Sequence, residues 1–432
     1  MDALAYTADP MRAPIVALAS LLLVACSEPE PEGILLITVD TLRADRLGVY
    51  GYADSHTPTI DALAAESLRF ERAYSHSSMT VPSIASLFTG KLPAEHGVFA
   101  NVNRLDDLHI TLAERLGSAG FASAAFIGSY ALRTTRNLHQ GFDSYTSSYR
   151  DSEPIRDHPE NRARTLTDEA VAWLEARDPG RRFLLWIHYQ EPHGPYTPEH
   201  FRPPRDDGRI LSRSASQSGA GGIPLYQWLG HGRLAEYEAR YDGEISEVDR
   251  QLGRLLDALR GRDLLERVVV VFTADHGESF GEGGLYCAHG EDLSEVQLRV
   301  PLLVRLPGAA SAVRTDRVRH IDVAPTLLAL AGVADAGLPG RSLFEDDGDR
   351  TVVAQLVRPG HRPWRSIRVG DVELLDGALG EPVRRTDASA ESPPAQELFA
   401  QLERLAPWPV VSVTPALSPE EERNLKAMGY LD

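Results

Sequence analysis

The sequence predicts an α/β fold in which a mostly parallel sheet is sandwiched by helices, with a small α+β part at the C-terminus. Apolar runs of strand length alternate with stretches of helical periodicity, which is typical of a parallel sheet covered on both faces. The runs "GILLITVD" (33–40) and "RVVVVFTAD" (267–275) are nearly continuous, as in strands buried on both sides. The 432 residues suffice for one large domain with a smaller appendage.

The elements follow one another in a regular order after the strand at 33–40. The segment "TPTIDALAAESLRF" (57–70) has helical spacing behind a Thr-Pro start. Residues 204–224, rich in Ser, Gly and Arg, predict a surface loop or lid. The remaining predicted elements are a helix at 111–120, strands at 121–128 and 183–190, helices at 162–177 and 232–260, strands at 267–275 and 300–307, and a helix at 322–333.

The periodicity weakens beyond about residue 340. The stretches "TVVAQLV" and "SIRVGDVELLDG" predict short strands, and "SPEEERNLKAMGYL" predicts a terminal helix that opens with a capping box from Ser418 to Glu421. We therefore predict a main domain over 33–338 and a small C-terminal subdomain over 339–432.

The N-terminal region predicts a secreted protein. Behind Met11-Arg12 lies the thirteen-residue apolar run "APIVALASLLLVA", followed by Cys26 and the polar "SEPEPEG". The run is too short to span a bilayer, which takes ~20 residues, but it suits a secretory signal. The end of the run with Cys26 resembles a bacterial lipobox, whose cysteine is lipidated; the alternative is a plain signal peptide with an incidental cysteine.

A lipidated Cys26 predicts a signal peptide over 1–26, a tether over 27–32 and a lipid-anchored protein of the bacterial cell envelope, periplasmic or at the outer membrane. The lipid would be the only attachment to the membrane. With Cys26 assigned, the second cysteine, Cys287, has no intrachain partner, so no disulfide framework is expected. The formal charge of 44 − 62 = −18 makes nucleic acid an unsuitable partner.

Acidic residues close two of the predicted strands, at Asp40 and at Asp275-His276. Open α/β sheets bind ligands beyond the carboxyl ends of their strands. Two carboxylates and an imidazole there form a mixed oxygen and nitrogen site for one divalent cation. The alternative is that these residues are helix caps or turn residues.

A hydroxyl residue, Thr80, precedes Val81-Pro82 and a short apolar helix pattern. Proline is tolerated in the first helical turn, which predicts Thr80 as the N-cap. A helix N-terminus favours anions, and a hydroxyl bound to a divalent cation becomes a nucleophile. The alternative is a capping threonine without a catalytic role.

Four blocks, "LLITVDTLRADRLGVYGY", "MTVPSIASLFTGKLPAEHGV", "WIHYQEPHGPY" and "FTADHGESFGEGG…HGEDLSEVQLRVPLLVRLPG", occur in one order. Together they resemble the sulfatase branch of the alkaline phosphatase superfamily over roughly residues 33–335, and the closing "LSPEEERNLKAMGYL" resembles the tails of bacterial members. The resemblance implies an alkaline-phosphatase-like fold. It implies the following roles: Asp40, Asp275 and His276 as metal ligands, Thr80 as nucleophile and metal ligand, Asn101 and His193 at the substrate's charged head, His289 as general acid, and Lys91 as a catalytic cation where the family usually has Arg.

Departures from the family pattern bear on the reaction. Sulfatases carry Cys or Ser in a Cys/Ser-x-Pro-x-Arg motif that is oxidised to formylglycine, whereas this chain has Thr80 and Ile84. Thr41 replaces a second Asp of many sulfatases. A threonine nucleophile resembles the phosphodiesterase and phosphoethanolamine-transferase branches, but Ser246 interrupts their second-metal pattern Asp-x-x-x-His, so one metal is expected. Calcium, manganese and zinc are not distinguished.

The leading hypothesis is a metal-dependent hydrolase of sulfate or phosphate esters on a small molecule or glycan, with Thr80 favouring phosphate monoesters and diesters. The alternatives are a phosphoethanolamine-type transferase and a pseudoenzyme that binds an anionic glycan without turnover. Four further residues are interpreted as structural or incidental: Asp242, Glu244, His188 and Cys287. Glu278 and Glu282 either border the pocket or face solvent.

Overall fold

The computed structural model describes residues 30–427 with gaps at 147, 150, 153–158, 199–200, 203–207, 216, 335–336, 346–347, 359–362, 371, 378–382, 387–394 and 408–416. Cys26, the predicted signal peptide and the first three tether residues lie outside the described residues. The described residues from Pro31 onward form one compact unit, so the boundary at residue 338 stays a prediction.

Strands are spread over the whole described chain. Their bounds are β1 Gly33–Val39, β2 Leu68–Tyr74, β3 Ala122–Ile127, β4 Ser144–Tyr145, β5 Asp151–Ser152, β6 Pro159–Glu160, β7 Phe183–Tyr189, β8 Val268–Ala274, β9 Ser279–Phe280, β10 Tyr286–Ala288, β11 Arg299–Arg305, β12 Ala312–Arg319, β13 Val352–Leu356, β14 Trp364–Val369, β15 Val372–Asp376 and β16 Val383–Thr386.

Helices alternate with the strands of the first 330 residues. Their bounds are α1 Pro58–Ala65, α2 Thr80–Thr89, α3 Pro93–His96, α4 Leu112–Ser118, α5 Ala163–Ala176, α6 Leu234–Arg260, α7 Glu295–Leu298, α8 Val323–Leu330, α9 Ala395–Leu405 and α10 Pro419–Ala427. No helix among the described residues combines the length and apolar character needed to cross a membrane.

The central sheet has the strand order β12-β2-β11-β8-β1-β7-β3-β4. All neighbouring strands run parallel except β11, which is antiparallel to both β8 and β2. Every residue of β1, β7 and β8 is buried, as the continuous apolar runs predict. The predicted α/β fold with a mostly parallel sheet is thereby confirmed.

Two groups of helices cover the sheet. Helices α1 and α5 both pack on the long helix α6, while α2 packs against α4 and α8. These contacts bury the apolar side of each helix, which is the main source of helical stability in proteins. Ser83 Oγ of α2 donates to the backbone oxygen of Asp275 at 2.6 Å and links the first turn of this helix to the residue that follows β8.

The predicted helix over 57–70 is wrong in its second half, because α1 ends at Ala65 and residues 68–74 form β2. Leu68 continues the helical spacing set by Ile60 and Leu63, which explains the error. In the structure β2 instead pairs with β11 and β12, so tertiary pairing overrides the local periodicity. Strand β12 and helix α9 are further elements that the sequence analysis missed.

The C-terminal region contains the predicted small sheet, formed by β13, β14, β15 and β16 in antiparallel order. Helix α9 packs on this sheet and buries Leu398 and Leu402. The predicted capping box of the terminal helix is confirmed: Ser418 N donates to Glu421 Oε2 at 2.9 Å, and Glu421 N donates to Ser418 Oγ at 3.2 Å.

Candidate active site

Asp40 and Asp275 lie side by side at the carboxyl edge of the sheet. Val39 and Ala274 are register partners in the parallel strands β1 and β8, so the residues that follow them are neighbours. Both carboxylates are fully buried. Asp275 Oδ1 accepts hydrogen bonds from the backbone N–H groups of Thr41 at 3.1 Å and His276 at 2.8 Å.

His276 joins this pair through its ring. Its Nδ1 lies 3.0 Å from the carbonyl oxygen of Gly277, and because a carbonyl only accepts, Nδ1 carries the proton in the neutral ring. The lone pair of Nε2 then faces the cluster, 3.9 Å from Asp40 Oδ1 and 3.5 Å from Asp275 Oδ2. A histidine tied in this way to a backbone carbonyl has the orientation typical of a metal ligand.

His188 is a fourth member that the sequence analysis had interpreted as a core histidine. It lies in β7 beside Thr38 of β1, and its Nε2 lies 3.4 Å from Asp40 Oδ2. One ligand atom from each of Asp40, His188 and Asp275 falls within a 4.8 Å group. Burial lowers the pKa of His188 to about 4, so its ring is neutral and can bind a metal or support Asp40. Its position near the carboxyl end of a strand next to β1 could have indicated that His188 lies at the site.

The electrostatics of this cluster favour a cation. Burial, and then the adjacent charge of Asp40, raise the pKa of Asp275. Asp275 Oδ2 is buried and has no hydrogen-bond partner within the described residues. Two carboxylates beside two imidazoles also supply the oxygen and nitrogen donors that a divalent metal uses. The residues present therefore fit the predicted metal.

Thr80 lies at the same place but is not the predicted N-cap. Met79 has extended backbone angles and is the cap, and Thr80 is the first residue of α2. The N–H of Val81 is instead satisfied by Asn101 Oδ1 at 2.9 Å, so the threonine hydroxyl is not needed for capping. Thr80 Oγ1 lies 3.4 Å from His276 Nε2. The structure thus brings the predicted nucleophile to the predicted metal ligands.

Asn101 and His193 are both nearly buried next to this cluster of residues. Asn101 Nδ2 has no hydrogen-bond partner within the described part of the chain and remains a donor for an anionic oxygen. His193 Nδ1 lies 2.9 Å from the carbonyl oxygen of Gly194, so its Nε2 is turned the other way.

Three histidine rings stand in a row at the site. The centroids of His276 and His289 are 4.7 Å apart, and those of His289 and His193 are 4.9 Å apart. The side chain of His289 is 4% exposed, and its Nδ1 lies 3.3 Å from Glu278 Oε1. Glu278 is fully buried, which excludes the solvent-facing alternative.

Lys91 is not brought to this site. It follows Gly90 at the C-terminal end of α2, which has ten residues and is therefore about 15 Å long. Its Nζ lies 3.3 Å from His109 Nδ1. Because Thr80 begins the same helix, Lys91 lies at the opposite end of α2 from the candidate nucleophile.

The acidic residues of α6 have structural partners, as the sequence predicts. Asp242 Oδ2 accepts from the Tyr52 hydroxyl at 2.7 Å and lies 3.4 Å from Arg46 Nη1. Glu244 Oε1 accepts from the Thr197 N–H at 2.8 Å. Cys287 is a buried free thiol.

Residues 33–333 match the family model described as Sulfatase, which covers more than two thirds of the chain. The chain belongs to the sulfatase family. Choline-sulfatase from Rhizobium meliloti is 28% identical to it over 354 residues, which are 70% of this chain and 68% of that protein. Membership places the chain among sulfuric or phosphoric ester hydrolases, a family that is generally metal-dependent.

Solved structures share the sulfatase fold. BT4656 in complex with D-glucosamine-2-N,6-O-disulfate has a TM-score of 0.70 at 21% identity, covering 87% of this chain and 97% of that one. The phosphonate monoester hydrolase of Agrobacterium radiobacter has a TM-score of 0.69 at 22% identity, covering 87% and 94%. At this identity the likeness establishes the architecture.

Proposed function

We propose that this sulfatase-family protein hydrolyses phosphate monoesters or diesters, with Thr80 as the nucleophile. The observation that supports this most directly is the position of the Thr80 hydroxyl. It begins a helix whose N-terminus favours an anion, and it faces His276 Nε2 at 3.4 Å beside two buried carboxylates.

The proposed metal site consists of Asp40, Asp275 and His276, with His188 as a further ligand or as support for Asp40. The mixture of carboxylate and imidazole donors suits manganese or zinc better than calcium, which prefers oxygen ligands. When bound, a divalent cation would offset negative charge on the transferred group and promote ionisation of the hydroxyl.

The other steps are assigned to the protein's own groups. Thr80 Oγ1 releases its proton to solvent and forms a bond to phosphorus, while the bond to the leaving oxygen breaks and its electron pair stays on that oxygen. His289 Nε2 donates a proton to the leaving oxygen, and Asn101 Nδ2 and His193 Nε2 hold the non-reacting oxygens. Water then attacks phosphorus and gives a proton to the neutral His289, while the bond from phosphorus to Thr80 Oγ1 breaks and that oxygen takes a proton from solvent.

The choice of phosphate over sulfate rests on the chemistry of threonine. Formylglycine is an aldehyde made by oxidising Ser or Cys, and the methyl group on the Thr80 Cβ excludes an aldehyde. Ile84, buried on α2, also stands where the maturation motif has Arg. Ile84 leaves one alternative open, a protein that binds an anionic glycan without turnover.

A metal-supplemented hydrolysis screen tests the proposal. Wild type, Thr80→Ala and Thr89→Ala would be assayed on an aryl sulfate, a phosphate monoester, a phosphate diester and a phosphonate ester. Thr89 is a matched control, because its buried hydroxyl donates within the same helix, to the Ala85 carbonyl at 2.6 Å. We expect Thr80→Ala to lower turnover of phosphate esters by several orders of magnitude and Thr89→Ala to retain it.

The screen also separates the alternatives. A phosphothreonine at position 80, found by mass spectrometry after acid quench, would support the covalent route. Sulfatase activity that is undiminished in Thr80→Ala would contradict it. Metal-dependent binding of a sulfated glycan without hydrolysis of any ester would favour the non-catalytic alternative.

We also propose that the protein is anchored to the cell envelope by a lipid on Cys26. The support is the sequence alone, an apolar run that ends in Leu-Val-Ala-Cys before a polar tether. Cys26→Ser should move the protein from the membrane fraction to the soluble fraction after detergent-free lysis. A variant that stays in the membrane fraction would place the attachment elsewhere.

A further inference from the structure

The three histidines of the site differ in the partner of Nδ1. His276 and His193 face the carbonyl oxygens of Gly277 and Gly194, at 3.0 Å and 2.9 Å. His289 faces a carboxylate oxygen of Glu278 at 3.3 Å. A carbonyl is a neutral acceptor, whereas a carboxylate is anionic and stabilises a positively charged ring. His289 is therefore the histidine of this row whose Nδ1 faces a carboxylate instead of a peptide carbonyl.

Glu278 is held in place from both ends. Its side chain is fully buried, and Oε2 accepts a hydrogen bond from the Tyr196 hydroxyl at 2.9 Å. Arg43 Nη1 donates to the backbone oxygen of Glu278 at 3.1 Å, so the main chain is fixed as well. The carboxylate thus has one oxygen engaged by Tyr196 and the other directed at His289.

The guanidinium of Arg43 does not neutralise this carboxylate. Its Nε and Nη2 donate to Asp45 at 2.9 Å and 2.8 Å, and its Nη1 also donates to Glu282 at 2.9 Å. Arg43 therefore contacts Glu278 through the peptide oxygen, while its charge is compensated by other carboxylates. The two carboxylate oxygens of Glu278 are thus left to Tyr196 and His289.

We propose that Glu278 is the positioning residue that sets the tautomer and orientation of His289, and that Tyr196 fixes Glu278 in turn. This inference rests on the proposed function above. Because a carboxylate only accepts, Nδ1 of His289 keeps its proton and Nε2 is turned away from Glu278. Nε2–H then protonates the leaving oxygen as its bond to phosphorus breaks, and Glu278 itself takes up no proton.

The dependence of rate on the leaving group distinguishes this role from a structural one. An alkyl phosphate needs its leaving oxygen protonated, whereas 2,4-dinitrophenolate leaves readily without a proton. General acids contribute about 10²–10⁴-fold. We expect Glu278→Gln to lower the single-turnover rate of leaving-group release from an alkyl phosphate by about 10²-fold and that from 2,4-dinitrophenyl phosphate by less than about 3-fold, a pattern shared with His289→Ala.

Two further variants sharpen the comparison. Tyr196→Phe should give a smaller loss with the same leaving-group pattern, since the carboxylate remains but is less firmly held. Glu295→Gln is the control, because it removes a carboxylate that pairs with Tyr74 and Arg368, and both rates should stay near wild type. Glu278→Gln combined with His289→Ala should be no slower than His289→Ala alone.

Equal loss of rate for both leaving groups, or additive effects in the double variant, would overturn the proposal. A measurement that does not depend on turnover tests the role of Glu278 even if the protein hydrolyses none of the esters. The ¹⁵N NMR shifts of His289 should report a protonated Nδ1 in wild type and a changed ring state in Glu278→Gln. Identical shifts in the two proteins would overturn the role of Glu278, whereas absence of hydrolysis by wild type would overturn only the proposed function.

Discussion

Two buried clusters of charged residues in this protein are built in opposite ways. In the C-terminal sheet, Arg365 Nε and Nη2 donate to Asp376 Oδ2 at 2.9 Å and 2.8 Å, and Arg365 Nη2 also contacts Glu403. At the edge of the central sheet, Asp40 and Asp275 share a fully buried space with His188 and His276. The first cluster contains its own cation, and the second combines two carboxylates with imidazoles.

The presence or absence of a cationic side chain distinguishes a cluster that stabilises the fold from one that is suited to bind a ligand. A buried charge without a partner of opposite sign is costly, so structural clusters are neutralised within the protein. The raised pKa of Asp275, due to burial and then to Asp40, shows that the edge cluster is not neutralised in the same way. A cation from solution would complete it, whereas the Arg365 cluster is complete as it stands.

Arg365→Met should produce the largest change in stability. It leaves Asp376 buried opposite an apolar side chain, and breaking a buried pair in this way costs about 3–5 kcal/mol. Urea unfolding should show that loss in the free energy of unfolding. The control Arg250→Met removes an exposed partner of Glu247 on α6 and should cost less than about 1 kcal/mol. Equal effects of the two variants would contradict the structural role of the cluster.

Much of the fold was predictable because the central strands are buried on both faces. Strands β1 and β8 read as continuous apolar runs, and the rule that ligands bind at the carboxyl edge identified Asp40 and Asp275. Strand β2 was not predictable in this way. It lies near the edge of the sheet, and its buried residues Phe70, Ala73 and Tyr74 follow the i, i+3, i+4 spacing of a helix.

Site residues could be predicted where the residue type alone indicates a chemical role. Those whose role depends on a contact between distant segments of the chain could not be predicted. The cap of α2 depends on Asn101, twenty residues beyond Val81, so the local pattern at Thr80 suggested the wrong cap. Glu278 becomes meaningful only because the chain returns to place His289 beside it. No periodicity in the sequence reports such contacts.

Metal removal tests the edge cluster directly. A ligand at 100–1,000 times its Kd stabilises a protein by about 2.7–4.1 kcal/mol, so wild type should gain that much on adding metal to the EDTA-treated protein. Asp40→Ala and Asp275→Ala should lose most of this gain and most of the bound metal in elemental analysis. Asp242→Asn is the control, because Asp242 is paired with Arg46 and Tyr52 away from the cluster.

A conservative variant sharpens the same experiment. Asp275→Asn keeps an oxygen for the N–H groups of Thr41 and His276 but removes one of two like charges. In EDTA it should be at least as stable as wild type, and with metal it should be less stable. Full metal-dependent stabilisation of this variant would show that the metal does not bind through the charge of Asp275.

The smallest expected effect concerns a buried histidine beside the C-terminal sheet. Nδ1 of His76 lies 2.5 Å from the carbonyl oxygen of Val353 in β13, and Nε2 is buried without a hydrogen-bond partner in the described part of the chain. Burial lowers the pKa of His76 to about 4, against about 6.5 in an unfolded chain. Between these values the unfolded chain binds the extra proton, so His76 lowers the free energy of unfolding as the pH falls.

His76→Asn tests this effect, because the asparagine amide can still donate to Val353 but does not titrate. The stability of wild type relative to the variant should fall by up to about 1.4 kcal/mol for each pH unit between pH 6 and pH 4, and should be constant above pH 7. Urea unfolding at several pH values, without metal, would measure the difference in the free energy of unfolding between the two proteins. The titration of Asp40 and Asp275 cancels in this difference, because both proteins contain these residues. If the free energies of unfolding of wild type and His76→Asn changed equally with pH, His76 would accept a proton as readily in the folded protein as in the unfolded chain. The small sheet would then tolerate a buried charge that we expect it to exclude.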